Sequence, residues 1–114
     1  MSDGIIVFIQ YLYKIIIVEE TGLTADELLC IHLTGIVQGV GMRYYVKDLA
    51  GKMGLRGFVQ NTPNGRVKCM VQGDRAKLEL FVTALKNAPR GRVTDVTVES
   101  SAVAEVFSDF HIRF

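Results

Sequence analysis

Gly35-Ile36-Val37-Gln38-Gly39-Val40-Gly41-Met42-Arg43 decides how this chain reads. A short apolar run with Ile31 and Leu33 leads into it, and a segment with helical spacing follows. Three glycines in these nine residues, between that run and Arg43, give a loop whose N–H groups can turn inward with no side chain in the way. The next N–H groups belong to the first turn of a helix and lack intrahelical partners. Such a turn accepts anions, phosphate above all. Arg43 stands at its mouth with a planar, permanently charged fork of donors that matches phosphate oxygens. A cation there opposes the positive end of the helix dipole, which costs stability unless an anion lies between them. On the loop alone two readings stay open, a tight turn or a phosphate cradle. It matches neither G-x-G-x-x-G nor the P-loop, and no Lys-Ser or Lys-Thr follows the last Gly to hold a nucleotide's metal.

Downstream, Met42, Tyr45, Val46, Leu49, Ala50 and Met53 fall on one helical face, with Tyr44, Lys47, Asp48 and Lys52 on the other and Gly54 as a stop. Gly57 to Asn61 reads as a strand, Thr62-Pro63-Asn64-Gly65 as a tight turn, and Val67, Cys69 and Val71 as the buried face of the next strand. On that strand Arg66 and Lys68 are expected on a wet surface. Gly73-Asp74 opens a second helix with Leu78, Phe81, Val82 and Leu85 as its core stripe, closed by Pro89. A fourth strand runs through Val93 to Val98, and Phe107 to Phe114 forms a last one with Phe110 and Ile112 in register. The order is that of an α+β, ferredoxin-like (split βαβ) sandwich, a mostly antiparallel sheet with two helices on one face. Upstream, Ile31 to Val37 alternates as a strand. Thr24-Ala25-Asp26-Glu27 has the spacing of a capping box, which predicts a short helical turn through Leu29.

Val37-Gln38-Gly39-Val40-Gly41-Met42-Arg43 resembles the first signature of the acylphosphatase family. Gly57-Phe58-Val59-Gln60-Asn61-Thr62-Pro63-Asn64-Gly65-Arg66-Val67, closing at Gly73, resembles the second. The resemblance covers about Cys30 to Phe114. Met42 stands where most members carry Phe, a swap between bulky apolar groups. The resemblance implies hydrolysis of an acyl phosphate to carboxylate and inorganic phosphate, with no cofactor and no metal. It implies that Arg43 and the amides of Gln38, Gly39, Val40, Gly41 and Met42 bind the phosphate, and that Asn61 orients the attacking water. Without it, Asn61 would read as an ordinary turn former, and nothing in the sequence alone brings it near Arg43.

The 114 residues suit a single domain, with 49% hydrophobic and 22% charged residues. The expected division is an extension over 1–29 and an acylphosphatase-like domain over 30–114. A net charge of +1, from 13 basic and 12 acidic residues, and the lack of Trp disfavour nucleic acid as a partner. The run from Ile5 to Val18 is apolar and β-branched, but it is too short to span a bilayer and is interrupted by Gln10 and Lys14. No basic region or cleavage site accompanies it, so neither a signal peptide nor a membrane anchor is expected. An extra strand, or residues foreign to the native domain, would account for it. The chain is expected to act as a cytoplasmic monomer on a small-molecule substrate, with 5–18 available for association. Cys30 and Cys69 read as lone buried thiols, a disulfide between them remaining open. His32 and His111 lack partners at metal-ligand spacing, and Asp48, Asp74, Asp95 and Glu99 are scattered. The rival functions are a non-catalytic anion-binding or regulatory module and a carbamoyl-phosphate-handling domain. The second resembles part of the long hydrogenase-maturation proteins, whereas this chain stops at Phe114.

Overall fold

The computed structural model describes residues 26–102 and 106–114. The elements in order are β1 (Glu27–Ile36), α1 (Met42–Lys52), β2 (Arg56–Asn61), β3 (Val67–Gly73), α2 (Arg75–Lys86), β4 (Arg92–Ser101) and β5 (Phe110–Ile112). They build one five-stranded sheet in the order β4-β1-β3-β2-β5. The β1–β3, β1–β4 and β2–β3 pairs are antiparallel, and β2–β5 is parallel. This is the expected split βαβ arrangement with a short parallel strand added at one edge.

Alternation sets the core. Ile31 and Leu33 of β1, Val59 of β2, Val67, Cys69 and Val71 of β3 and Phe110 of β5 share one buried face. Met42, Val46 and Ala50 of α1 and Leu78, Phe81 and Leu85 of α2 pack onto it. The other face is covered only in part, by a small cluster of Leu28, Phe58 and Phe107 with Met70 against it. The Phe58 and Phe107 rings stand 5.9 Å apart. Burial on both sides of β3 leaves Met70 half-buried and Gln72 buried, on the face opposite Val67, Cys69 and Val71.

Two local expectations are corrected. No helical turn runs through Leu29: β1 begins at Glu27, and Glu27 to Leu29 pair with Gly73, Gln72 and Val71 of β3. Leu28 and Leu29 also pair with Ser101 and Ser100 of β4. Two ladders outweigh one local cap, and Leu29 continues the core-facing row of Ile31 and Leu33. Thr24 and Ala25, like the whole run 5–18, lie outside the described residues. The last strand is also shorter than the sequence predicts, because Phe107 turns to the opposite face of the sheet from Phe110. Among the described residues no helix is long and apolar enough to cross a membrane.

Candidate active site

The cradle hangs between two buried anchors, Val37 after β1 and Met42 at the start of α1, each 1% exposed. Met42 thus fills a core position, as the sequence implied. Between the anchors, Gly39 and Gly41 have φ of 73° and 81°. A Cβ on Gly39 would meet nothing within 4 Å, and one on Gly41 would only touch Arg90 Cδ at 4.0 Å. The left-handed backbone, not lack of room, is what requires glycine there.

Gly41 is the N-cap of α1 and offers no side chain to its first turn, which contains no acidic residue. The first helical bond runs from Tyr45 N to the Gly41 carbonyl at 3.1 Å. The N–H groups of Met42, Arg43 and Tyr44 precede that ladder. Arg43 sits in this uncapped turn, half-buried. Among the described residues no ion pair links it to a carboxylate. Its guanidinium carbon lies 5.1 Å from the Phe114 ring centroid.

Asn61 closes β2, directly before the turn. The Gly65 N–H donates to the Thr62 carbonyl at 3.1 Å, and Gly65 takes φ 85°. The Thr62 hydroxyl adds a short hydrogen bond to the Asn64 side chain. The cradle and this turn are joined by Gln38. Its Nε2 donates to the carbonyls of Thr62 and Arg66, both at 2.8 Å. The amide thus spans the mouth of the hairpin and fixes the glycine loop against the residue that follows Asn61. Asn61 Oδ1 is buried and has no hydrogen-bond partner among the described residues. A buried acceptor in that state costs free energy until a donor reaches it.

The remaining titratable groups stand apart. His32 lies on the open face of the sheet, where burial, then the Arg66 and Lys68 charges, hold its pKa below the ordinary histidine value. His111 Nδ1 lies 3.0 Å from Asp109 and its ring stacks with Phe58. Cys30 and Cys69 are both free. Neighbours along β1 and β3 place them on opposite faces, and burial pushes the Cys69 thiol pKa well up. Among the described residues no three His, Cys, Asp or Glu side chains gather as a metal site. Arg66 departs from its expected place on a wet surface: it is half-buried, with Nε enclosed.

Sequence reasoning missed two features of the site. Gln38 was one loop residue among several, and only the fold shows its side chain reaching across to the hairpin. Phe114 carried no signal at all, because its place depends on the parallel β2–β5 register.

Comparison with known proteins agrees with this geometry. The acylphosphatase family model matches residues 29–112. The acylphosphatase of Bacillus subtilis is 42% identical over 81 residues, covering 70% of this chain and 89% of that protein. That of Koribacter versatilis is 42% identical over 82 residues, covering 71% and 74%. Among solved structures, an acylphosphatase from Bacillus subtilis superposes with a TM-score of 0.73 at 39% identity, covering 77% of this chain and 99% of that one. A full-length HypF in a phosphate- and nucleotide-bound form gives 0.72 at 28% identity, but this chain corresponds to only 12% of it. With both motifs seated where the fold brings them together, and with this match over most of its length, the chain belongs to the acylphosphatase family and is an acylphosphatase-like hydrolase.

Proposed function

We propose that the β1–α1 cradle and Arg43 hold the phosphate of an acyl phosphate while Asn61 presents the attacking water. The observation that carries this is the buried, unpartnered Asn61 Oδ1 beside a hairpin that Gln38 ties to the cradle. An acceptor so placed accepts a hydrogen bond from a water and so aims the water's lone pair; the Asn61 NH2 group can donate in turn.

The reaction needs little else. Water oxygen attacks phosphorus as the bond from phosphorus to the acyl oxygen breaks, giving carboxylate and inorganic phosphate. The transition state is loose and asks mainly for alignment and charge stabilisation. Fixed N–H groups at the start of α1 and the Arg43 guanidinium meet the equatorial oxygens without reorganising. The acyl carboxylate is a good leaving group and needs no acid. The water's proton passes to a phosphate oxygen of the substrate, since neither motif supplies a base.

Benzoyl phosphate hydrolysis, followed by loss of ultraviolet absorbance, tests the reading on wild type and Asn61→Ala together. Turnover by the wild type, a much slower mutant and inhibition by inorganic phosphate that is nearly equal in both are expected. Loss of phosphate inhibition in Asn61→Ala would show that Asn61 binds the anion rather than the water.

A further inference from the structure

Phe114 is 94% exposed, the most exposed large apolar side chain among the described residues, yet it does not stand at random. In the parallel β2–β5 ladder, Gly57 pairs with Phe110, Phe58 with His111 and Val59 with Ile112. The chain keeps this path beyond β5, because Arg113 N donates to the Val59 carbonyl at 2.9 Å. Two further steps in the same register set Phe114 level with Asn61. Phe110, Ile112 and Val59 all face the helices, so alternation turns Phe114 and Asn61 to that side as well. There the Phe114 ring meets the Arg43 guanidinium, 5.1 Å from ring centroid to carbon.

We propose that Phe114 is a positioning residue for the reaction: its ring face holds the Arg43 guanidinium in the orientation that receives the phosphate. The inference rests on the reading of Arg43 as the phosphate-binding cation. Its physical need is clear. Arg43 has a long side chain in a helix turn that repels it, and no carboxylate among the described residues fixes it. A carboxylate would fix it but would also compete with phosphate for the same donors. A ring attracts the cation through its face and leaves the in-plane N–H donors unused. An aromatic neighbour therefore orients this arginine without spending the hydrogen bonds that the phosphate requires.

The test is a double-mutant cycle on the full chain with Phe114→Leu, Phe114→Tyr, Arg43→Ala and the pair Arg43→Ala with Phe114→Leu. The readouts are kcat and KM for benzoyl phosphate and the inhibition constant for inorganic phosphate. Leu keeps apolar bulk and loses the π face, so Phe114→Leu should weaken phosphate inhibition and lower kcat/KM by about 2- to 5-fold, the usual scale for an exposed cation–π contact. Phe114→Tyr should restore both. The melting temperature should hardly move in either, because the side chain is exposed. In the Arg43→Ala background Phe114→Leu should change nothing further. If Arg43→Ala is crippled while Phe114→Leu matches wild type in both constants, the positioning role is overturned. An equal loss from Phe114→Leu with and without Arg43 would overturn it too. If Arg43→Ala itself behaves as wild type, the phosphate-binding reading fails instead.

Discussion

The two helices are near equals in length and in how they pack, yet they begin in opposite ways. Helix α2 starts at Asp74, whose carboxylate accepts from Lys77 N at 2.9 Å. That is an ordinary N-cap: the chain satisfies its own orphan donor and places negative charge at the positive end of the dipole. Helix α1 starts at a left-handed glycine, with no side-chain cap, no acid in its first turn and an arginine inside it. The first turn of α2 also lacks an acid and carries Arg75, but Asp74 caps it and Arg75 pairs with Glu27 and Glu79; α1 has neither the cap nor, among the described residues, a carboxylate for Arg43. A helix end built for stability hides its donors, and one built for an anion leaves them to be used. On the proposed reading of Arg43, the contrast separates these two purposes within one small protein.

The largest expected break in that contrast is Arg43→Ala. It should lower kcat/KM for benzoyl phosphate by at least ~10²-fold, as removal of a transition-state anion donor does elsewhere. It should also abolish the rise in melting temperature that inorganic phosphate gives the wild type through binding the native state. A variant that keeps this rise would detach Arg43 from the anion. Asp74→Ala is the mirror experiment. Loss of the cap should cost about 1 kcal/mol in denaturant unfolding and leave phosphate inhibition unchanged. A drop in phosphate affinity there would mean the two helix ends are not separate in function. The smallest effect comes from giving the start of α1 a negative charge. Tyr44 is exposed in the first turn, three residues after the N-cap. Tyr44→Glu should stabilise the fold by about 0.3–1 kcal/mol through the dipole while raising the phosphate inhibition constant. Equal phosphate affinity with added stability would show that the open end serves no anion.

Much of this was legible in the chain before folding. The period-3.6 stripe from Met42 to Met53 and the period-2 row Val67, Cys69, Val71 named their elements because each buries a single face. The loop could be read as a candidate cradle because glycine, helix start and arginine are local features. What lay hidden was non-local. Glu27 looked like a capping residue because a cap is a four-residue pattern, whereas the ladder that claims it runs to Gly73 of β3. Asn61 could be given a role only by resemblance, since nothing local to it reports the Gln38 amide arriving from another loop. Phe114 was invisible for a related reason, its place being fixed by a parallel neighbour far back along the chain.

The Gln38 bond has a last consequence. It reaches carbonyls 24 and 28 positions further along the chain, from the end of β1 to the β2–β3 turn. In the sheet β1 and β2 are not neighbours; β3 lies between them. The site is therefore a property of three assembled strands and of no contiguous peptide. A fragment that keeps the glycine loop and α1 but lacks β3 would carry the whole first motif and none of its geometry.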